Sequence, residues 1–170
     1  MKEYNRVFLV GPMGAGKSTI GKLLARAMKL GFADSDSEIE NRTGADIPWI
    51  FDVEGEEGFR DREEHVIDEM TLLNHTVLAT GGGVVMREAN RRVLAERGFV
   101  IYLHATLDEQ LRRTRNDRTR PLLNVDDPEP VLRELIEQRD PLYRSIADHV
   151  IDTDSSSPKV IAQRLITQLP

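Results

Sequence analysis

Eight residues near the N-terminus, Gly11-Pro12-Met13-Gly14-Ala15-Gly16-Lys17-Ser18, follow the pattern G-x-x-x-x-G-K-[ST] and constrain the chain more than any other stretch. The pattern requires a strand before it and a helix after it. Both are legible: Val7-Phe8-Leu9-Val10 is a short apolar run, and Ile20, Leu23, Leu24, Ala27 and Met28 recur at helical spacing. The glycines let backbone N–H groups converge on an anion, and the following helix adds the positive end of its dipole. Gly14, Ala15, Gly16, Lys17, Ser18 and Thr19 are therefore candidate contacts to a nucleoside triphosphate. Lys17 is placed to reach the β- and γ-phosphates, and the Ser18 hydroxyl to hold Mg²⁺.

Beyond the loop, strands alternate with helices. The first helix is expected to end at Gly31 as a left-handed cap, and Phe32-Ala33 to lead into Asp34-Ser35-Asp36 as a second strand with its carboxylates at the tip. Residues 37–60 are interrupted by Gly44, Pro48, Gly55 and Gly58, which predicts an irregular segment on the substrate side. A helix then carries Val66, Ile67, Met70 and Leu73, and the strand Thr76-Val77-Leu78-Ala79 ends in Gly81-Gly82-Gly83. A helix through Val93 and Leu94 stops at Gly98 before the buried strand Phe99-Val100-Ile101-Tyr102-Leu103. Thr106-Leu107-Asp108-Glu109 has the form of a capping box, Asp127-Pro128 and Ser157-Pro158 open the last two helices, and Val150-Ile151 is a weak strand between them. Such alternation predicts an α/β fold whose parallel sheet is covered on both faces, with ligands at the carboxyl ends of the strands.

Several other residues bear chemistry. Asp34 and Asp36, two apart in an extended segment, would project to the same side. One carboxylate beside Mg²⁺ and another accepting a hydroxyl proton suits phosphoryl transfer to an alcohol, although acidic turn residues look the same in isolation. Arg112, Arg113, Arg115, Arg118 and Arg120 form a dense basic run that calls for an anion: a phosphate-closing lid over about residues 114–125, or else a solvated helix face or basic nucleic-acid patch. Three consecutive glycines, Gly81, Gly82 and Gly83, permit close backbone approach to a ligand or form a simple turn. Arg60 and Arg139 are forks that each hold a carboxylate bidentately or serve as ordinary ion-pair residues. Trp49 is by default core, or else a wall of the acceptor pocket. His65, His75, His104 and His149 lack paired ligand spacing, so a protein-held transition metal is not expected.

Composition narrows the partners. The 170 residues fit one domain, and 23 Lys and Arg against 29 Asp and Glu leave a charge of −6, which disfavours nucleic acid and anionic membranes. Without cysteine, a signal-peptide core or an apolar run of membrane length, a cytoplasmic protein is expected, and a monomer is the simplest assembly. Asp52-Val53-Glu54-Gly55 mimics the D-x-x-G of GTPase switches, but no N-K-x-D accompanies it to read guanine.

Taken together, Gly11 to Thr19, Asp34-Ser35-Asp36, Gly55-Glu56-Glu57-Gly58-Phe59-Arg60, Ala79 to Gly83, Arg120-Pro121-Leu122-Leu123 and Arg139-Asp140-Pro141-Leu142-Tyr143 closely resemble the shikimate kinase family, in order and over almost the whole chain. The resemblance implies a P-loop kinase of the nucleoside monophosphate kinase type, with a five-stranded parallel sheet, an acceptor-binding segment at about 35–62 and a lid at about 114–125. It implies ATP and Mg²⁺ as partners of catalysis and shikimate, phosphorylated at its 3-hydroxyl, as acceptor on the route to chorismate and the aromatic amino acids. It assigns Asp34 to the magnesium and Asp36 to the acceptor hydroxyls, and it gives the acceptor carboxylate to Arg60 and Arg139, with the Gly82 N–H beside them. Arg120 resembles the lid arginine on the phosphates, Arg113 the one stacking near adenine, and Ser156 sits in a loosely matching loop that flanks adenine through its backbone. A kinase of another polyol acid such as gluconate is the alternative within the same fold.

Overall fold

The computed structural model describes residues 4–117 and 119–169, so Arg118 of the arginine run lies outside the described residues. The first half of the chain runs β1 (Arg6–Val10), α1 (Lys17–Met28), β2 (Gly31–Asp34), α2 (Ser35–Thr43), α3 (Ile47–Met70) and β3 (Thr76–Ala79). A 3-10 turn at Val84–Met86 leads to α4 (Glu88–Arg97), β4 (Phe99–His104) and α5 (Leu107–Thr114). A second 3-10 turn at Pro121–Leu123 precedes α6 (Pro128–Ile146), β5 (His149–Asp152) and α7 (Pro158–Gln168).

The five strands form one sheet in the order β2-β3-β1-β4-β5, and every pairing is parallel. The inner strands β1, β3 and β4 read as nearly continuous apolar runs because both of their faces are covered, whereas the edge strands β2 and β5 are shorter and partly exposed. Phe8 and Val10 of β1 face α3, α4 and α6, where Phe59, Ile67, Leu94 and Tyr143 pack. Val7 and Leu9 face α1 and α7, where Ile20, Leu24, Ile161 and Leu165 pack. The chain leaves β1 toward one edge and later crosses it to build the other, so the glycine loop after β1 sits where the connections change direction, the place where open α/β sheets bind ligands. Among the described residues no helix is long and apolar enough to cross a membrane.

Local chemistry moves several expected boundaries. Helix α1 is capped not by Gly31 but by Lys29 in the left-handed region, φ 57°, with its N–H on Arg26 O and the next N–H, of Leu30, on Ala25 O at 2.8 Å. That pair of bonds satisfies the last carbonyls and outweighs the cost of a side chain there, which frees Gly31 to pair with Thr76 in the sheet. Within α1, Ala25 is buried and Ala27 exposed. The second strand stops at Asp34, whose carboxylate accepts from the N–H groups of Asp36 and Ser37 and so starts α2. Asp36 is therefore helical.

The segment 37–60, expected to be irregular, is mostly helix. Gly44 caps α2, Pro48 sits in the first turn of α3 where a missing N–H costs nothing, and inside α3 the helical path is interrupted at Gly55, at φ 74° and ψ 175°. Leu73 falls beyond α3 and is exposed. The capping box is half made: Thr106 Oγ1 accepts from Glu109 N–H, but Thr106 N–H donates to Asp154 and the Glu109 carboxylate holds Arg112 and Arg113 instead. Thr76–Ala79 and the N-caps Asp127 and Ser157 stand where the sequence predicts them.

Candidate active site

The glycine loop closes over its own lysine. Gly16 has φ 88°, a conformation that side-chain-bearing residues rarely adopt, and it delivers Lys17 directly into the first turn of α1. Lys17 Nζ donates to the carbonyls of Gly11 at 2.6 Å and Pro12 at 2.8 Å. Burial is the main reason its pKa drops to about 7; the charge of Arg120 pushes the same way, and Asp36 and Asp34 oppose it. Beside it, Ser18 Oγ donates to Asp34 Oδ2 at 2.5 Å, so a hydroxyl and a carboxylate meet as paired oxygen donors. Hard oxygens in pairs, leaving the remaining positions to phosphate and water, suit Mg²⁺. No group of three or more His, Cys, Asp or Glu among the described residues could hold a metal by itself.

A cleft opens next to this loop at the carboxyl end of β3. Asp36, Arg60, Arg139 and Gly81 to Gly83 line it, with Arg120 and Pro121 over one side. Asp36 and Gly81 meet closely, since a Cβ on Gly81 would stand 2.8 Å from Asp36 Oδ1 and 3.0 Å from Glu63 Oε2. A Cβ on Gly83 would collide with the Arg60 guanidinium at 2.3 Å. The glycines thus make room for side chains brought in by α2 and α3.

The charges of the cleft are incompletely paired. Arg60 donates to Glu63 at 3.1 Å and Glu56 at 3.3 Å, whereas Arg139, 4% exposed, keeps its Nε without a hydrogen-bond partner among the described residues. Burial lowers the Arg139 pKa, while burial and the neighbouring Asp34 raise that of Asp36 to about 6. Asp36 Oδ1 and Glu63 Oε2 are buried and unpaired as well. Orphaned polar groups of both signs facing one cleft are the mark of a site shaped for a polar ligand.

Across the glycine loop lies a second cavity, lined by Gly14, Ala15, Gly16, Thr19, Arg113 and Ser156. Arg113 clamps it: Nη1 donates to Gly14 O at 2.9 Å, Nη2 to Thr153 O at 2.9 Å, and Nε to Glu109 at 2.8 Å. Its hydrogen bonds all go to protein groups around that cavity. The rest of the arginine run divides. Arg112 pairs with Glu109 and Arg115 is exposed, while Arg120 lines the cleft and donates to Asp117 at 3.0 Å.

Two sequence expectations need correction. Asp34 and Asp36 do come to one site, but through a helix N-terminus and not through the alternation of a strand. Trp49 is neither core nor cleft wall: it is 62% exposed, and Ile47 and Phe51 on the adjacent face of α3 line the cleft instead. The D-x-x-G mimic runs along the exposed side of α3 and ends at its break. Sequence reasoning missed Glu63, whose only signal was its place one helical turn after Arg60.

Known proteins resemble this chain over nearly its whole length. The family model described as shikimate kinase matches residues 13–170. A shikimate kinase of Pseudomonas putida is 59% identical over 163 residues, covering 96% of this chain and 95% of the relative. The structure of shikimate kinase from Acinetobacter baumannii in complex with shikimate superposes with a TM-score of 0.95 at 48% identity, over 98% of this chain and 93% of that one. A gluconokinase from Sinorhizobium meliloti, 14% identical with a TM-score of 0.61 over 98% of this chain and 92% of its own, shares the fold alone.

Proposed function

The chain belongs to the shikimate kinase family, and from that membership we propose how its cleft carries the γ-phosphate of ATP to the 3-hydroxyl of shikimate. It is an ATP-dependent kinase of shikimate. The observation that carries the assignment of roles is the position of Asp36, a carboxylate with a free buried oxygen, in the same cleft as Arg60 and Arg139 and within the electrostatic reach of Lys17.

Arg60 and Arg139 hold the acceptor carboxylate between them, where a planar fork gives direction as well as charge. The backbone of Gly81, Gly82 and Gly83 lies along the same acceptor. This leaves its hydroxyl toward Asp36, which takes the proton as the acceptor oxygen bonds to the γ-phosphorus and the bond to the β-phosphate oxygen breaks, releasing ADP. Lys17 exchanges the carbonyls of Gly11 and Pro12 for phosphate oxygens, and the anionic charge holds it protonated. Arg120 approaches the same phosphates from the lid. Gly14 to Thr19 cradle the triphosphate, with Arg113 and the backbone at Ser156 flanking the adenine. Ser18 and Asp34 would hold Mg²⁺, which when bound neutralises charge on the β- and γ-phosphates. We assign the enzyme to the cytoplasm as a monomer. Coupled ADP release with ATP and Mg²⁺ over shikimate, gluconate and nucleoside monophosphates tests the reading; turnover with gluconate and none with shikimate would overturn it.

A further inference from the structure

Tyr143 is 1% exposed, and its hydroxyl donates to the carbonyl oxygen of Gly82, at the centre of the triple-glycine loop. It lies one turn beyond Arg139 on α6, and hydroxyl and guanidinium interact directly, each altering the other's proton affinity. A Cβ on Gly82 would stand 3.6 Å from Arg139 Nη1, so glycine loop, arginine and tyrosine meet at one point. The ring itself is held from behind: Tyr102 packs on it with centroids 4.9 Å apart, and Tyr102 in turn donates to Asp140 at 2.6 Å. Within the described residues no peptide is cis, so the Gly83 N–H lies opposite the carbonyl that Tyr143 pins and is aimed away from the tyrosine.

We propose that Tyr143 is a positioning residue for the acceptor: its hydroxyl sets the distance and angle between Arg139 on α6 and the Gly81–Gly83 backbone after β3, two parts of the acceptor site that no covalent link brings together. A glycine triplet has little stiffness of its own, and the Arg139 Nε has no hydrogen-bond partner among the described residues, so the hydroxyl supplies order to both. Without that bond the buried Gly82 carbonyl is left unsatisfied and turns to find another partner, carrying the Gly82–Gly83 peptide with it. The effect falls on acceptor binding and leaves the nucleotide side alone.

The inference rests on the reading of this cleft as the acceptor site, and the two fail differently. If the unaltered enzyme releases no ADP with shikimate, the functional reading fails; if it does and Tyr143 variants behave normally, this inference fails alone. Tyr143→Phe keeps the ring and loses the hydroxyl, and it should raise KM for shikimate about tenfold, with KM for ATP and kcat within about twofold. Tyr102→Phe, which removes the neighbouring hydroxyl outside the cleft, should leave KM for shikimate within about twofold. Equal losses across all constants in Tyr143→Phe, or none, would reduce Tyr143 to core packing. Should that variant fail to fold, 3-fluorotyrosine at position 143 keeps the ring and strengthens the donor. A lowered ratio of the shikimate to the ATP KM would then support the role, and an unchanged ratio would overturn it.

Discussion

Arg60 donates from Nη1 to Glu63 Oε1 at 3.1 Å, and both side chains are buried under the acceptor cleft. A buried pair of this kind fixes the direction of the guanidinium more than it stabilises the fold. Arg60→Lys keeps the charge but loses the fork, and should raise KM for shikimate about tenfold or more while KM for ATP stays within about twofold. Equal effects on the two substrates in steady-state kinetics would remove Arg60 from the acceptor.

Lys17, held between the Gly11 and Pro12 carbonyls, should be needed for turnover and not for folding. Lys17→Ala is expected to lower kcat about 10²-fold or more, as for loss of one preorganised contact to the transition state. The circular dichroism spectrum should be unchanged, and near-normal turnover would end the catalytic reading of the loop.

Asp36 and Glu63 give the protein its acid-range signature. Burial raises their pKa values to about 6 and about 7, above those of the unfolded chain, so the folded state keeps protons that the unfolded state releases. The sign follows: their contribution to stability is complete at low pH and is lost as pH rises to about 7. Urea midpoints should show this fall, and Glu63→Gln should make it shallower. Catalysis runs the other way, because Asp36 accepts a proton only when ionised: kcat/KM for shikimate should decline below about pH 6, and a flat profile there would argue against Asp36 as base.

The stretch 114–125 is uneven. Leu123 is buried with Met13 and Leu132, whereas Arg115 and Thr119 are exposed. Amides at 115–117 and 119–120 should therefore exchange fast in the empty protein and slow when a non-hydrolysable ATP analogue and shikimate are bound, with a smaller change at 121–125. Arg120→Ala should cut kcat about 10³-fold or more and leave shikimate affinity for free enzyme nearly unchanged. Equal exchange in both states would make this segment a fixed wall.

Trp49, 62% exposed, shares the first turns of α3 with Ile47 and Phe51 of the cleft wall. Closure of that helix on shikimate should shift its emission to shorter wavelength, because the indole then loses water contact. No shift with shikimate bound, as measured by calorimetry, would mean that the start of α3 does not move.

Much of this protein is determined locally, and that part is legible in the sequence. The glycine loop, the apolar strands Val7–Val10 and Phe99–Leu103 and the N-caps Asp127 and Ser157 depend on neighbours a few residues away, so their pattern suffices. What tertiary structure decided is everything that needs two distant segments to meet. Gly31 looks like a helix cap until Thr76 offers it a strand partner. In the sequence Glu63 is an unremarkable acid, and Tyr143 is the end of a motif with no role of its own. They take on meaning when α3 and α6 pack against the end of β3, where burial leaves one with an unpaired oxygen and gives the other a glycine carbonyl. Spacing records which residues share an element, but the depth to which packing removes them from water, and hence their charge and their partners, arises only when the elements assemble.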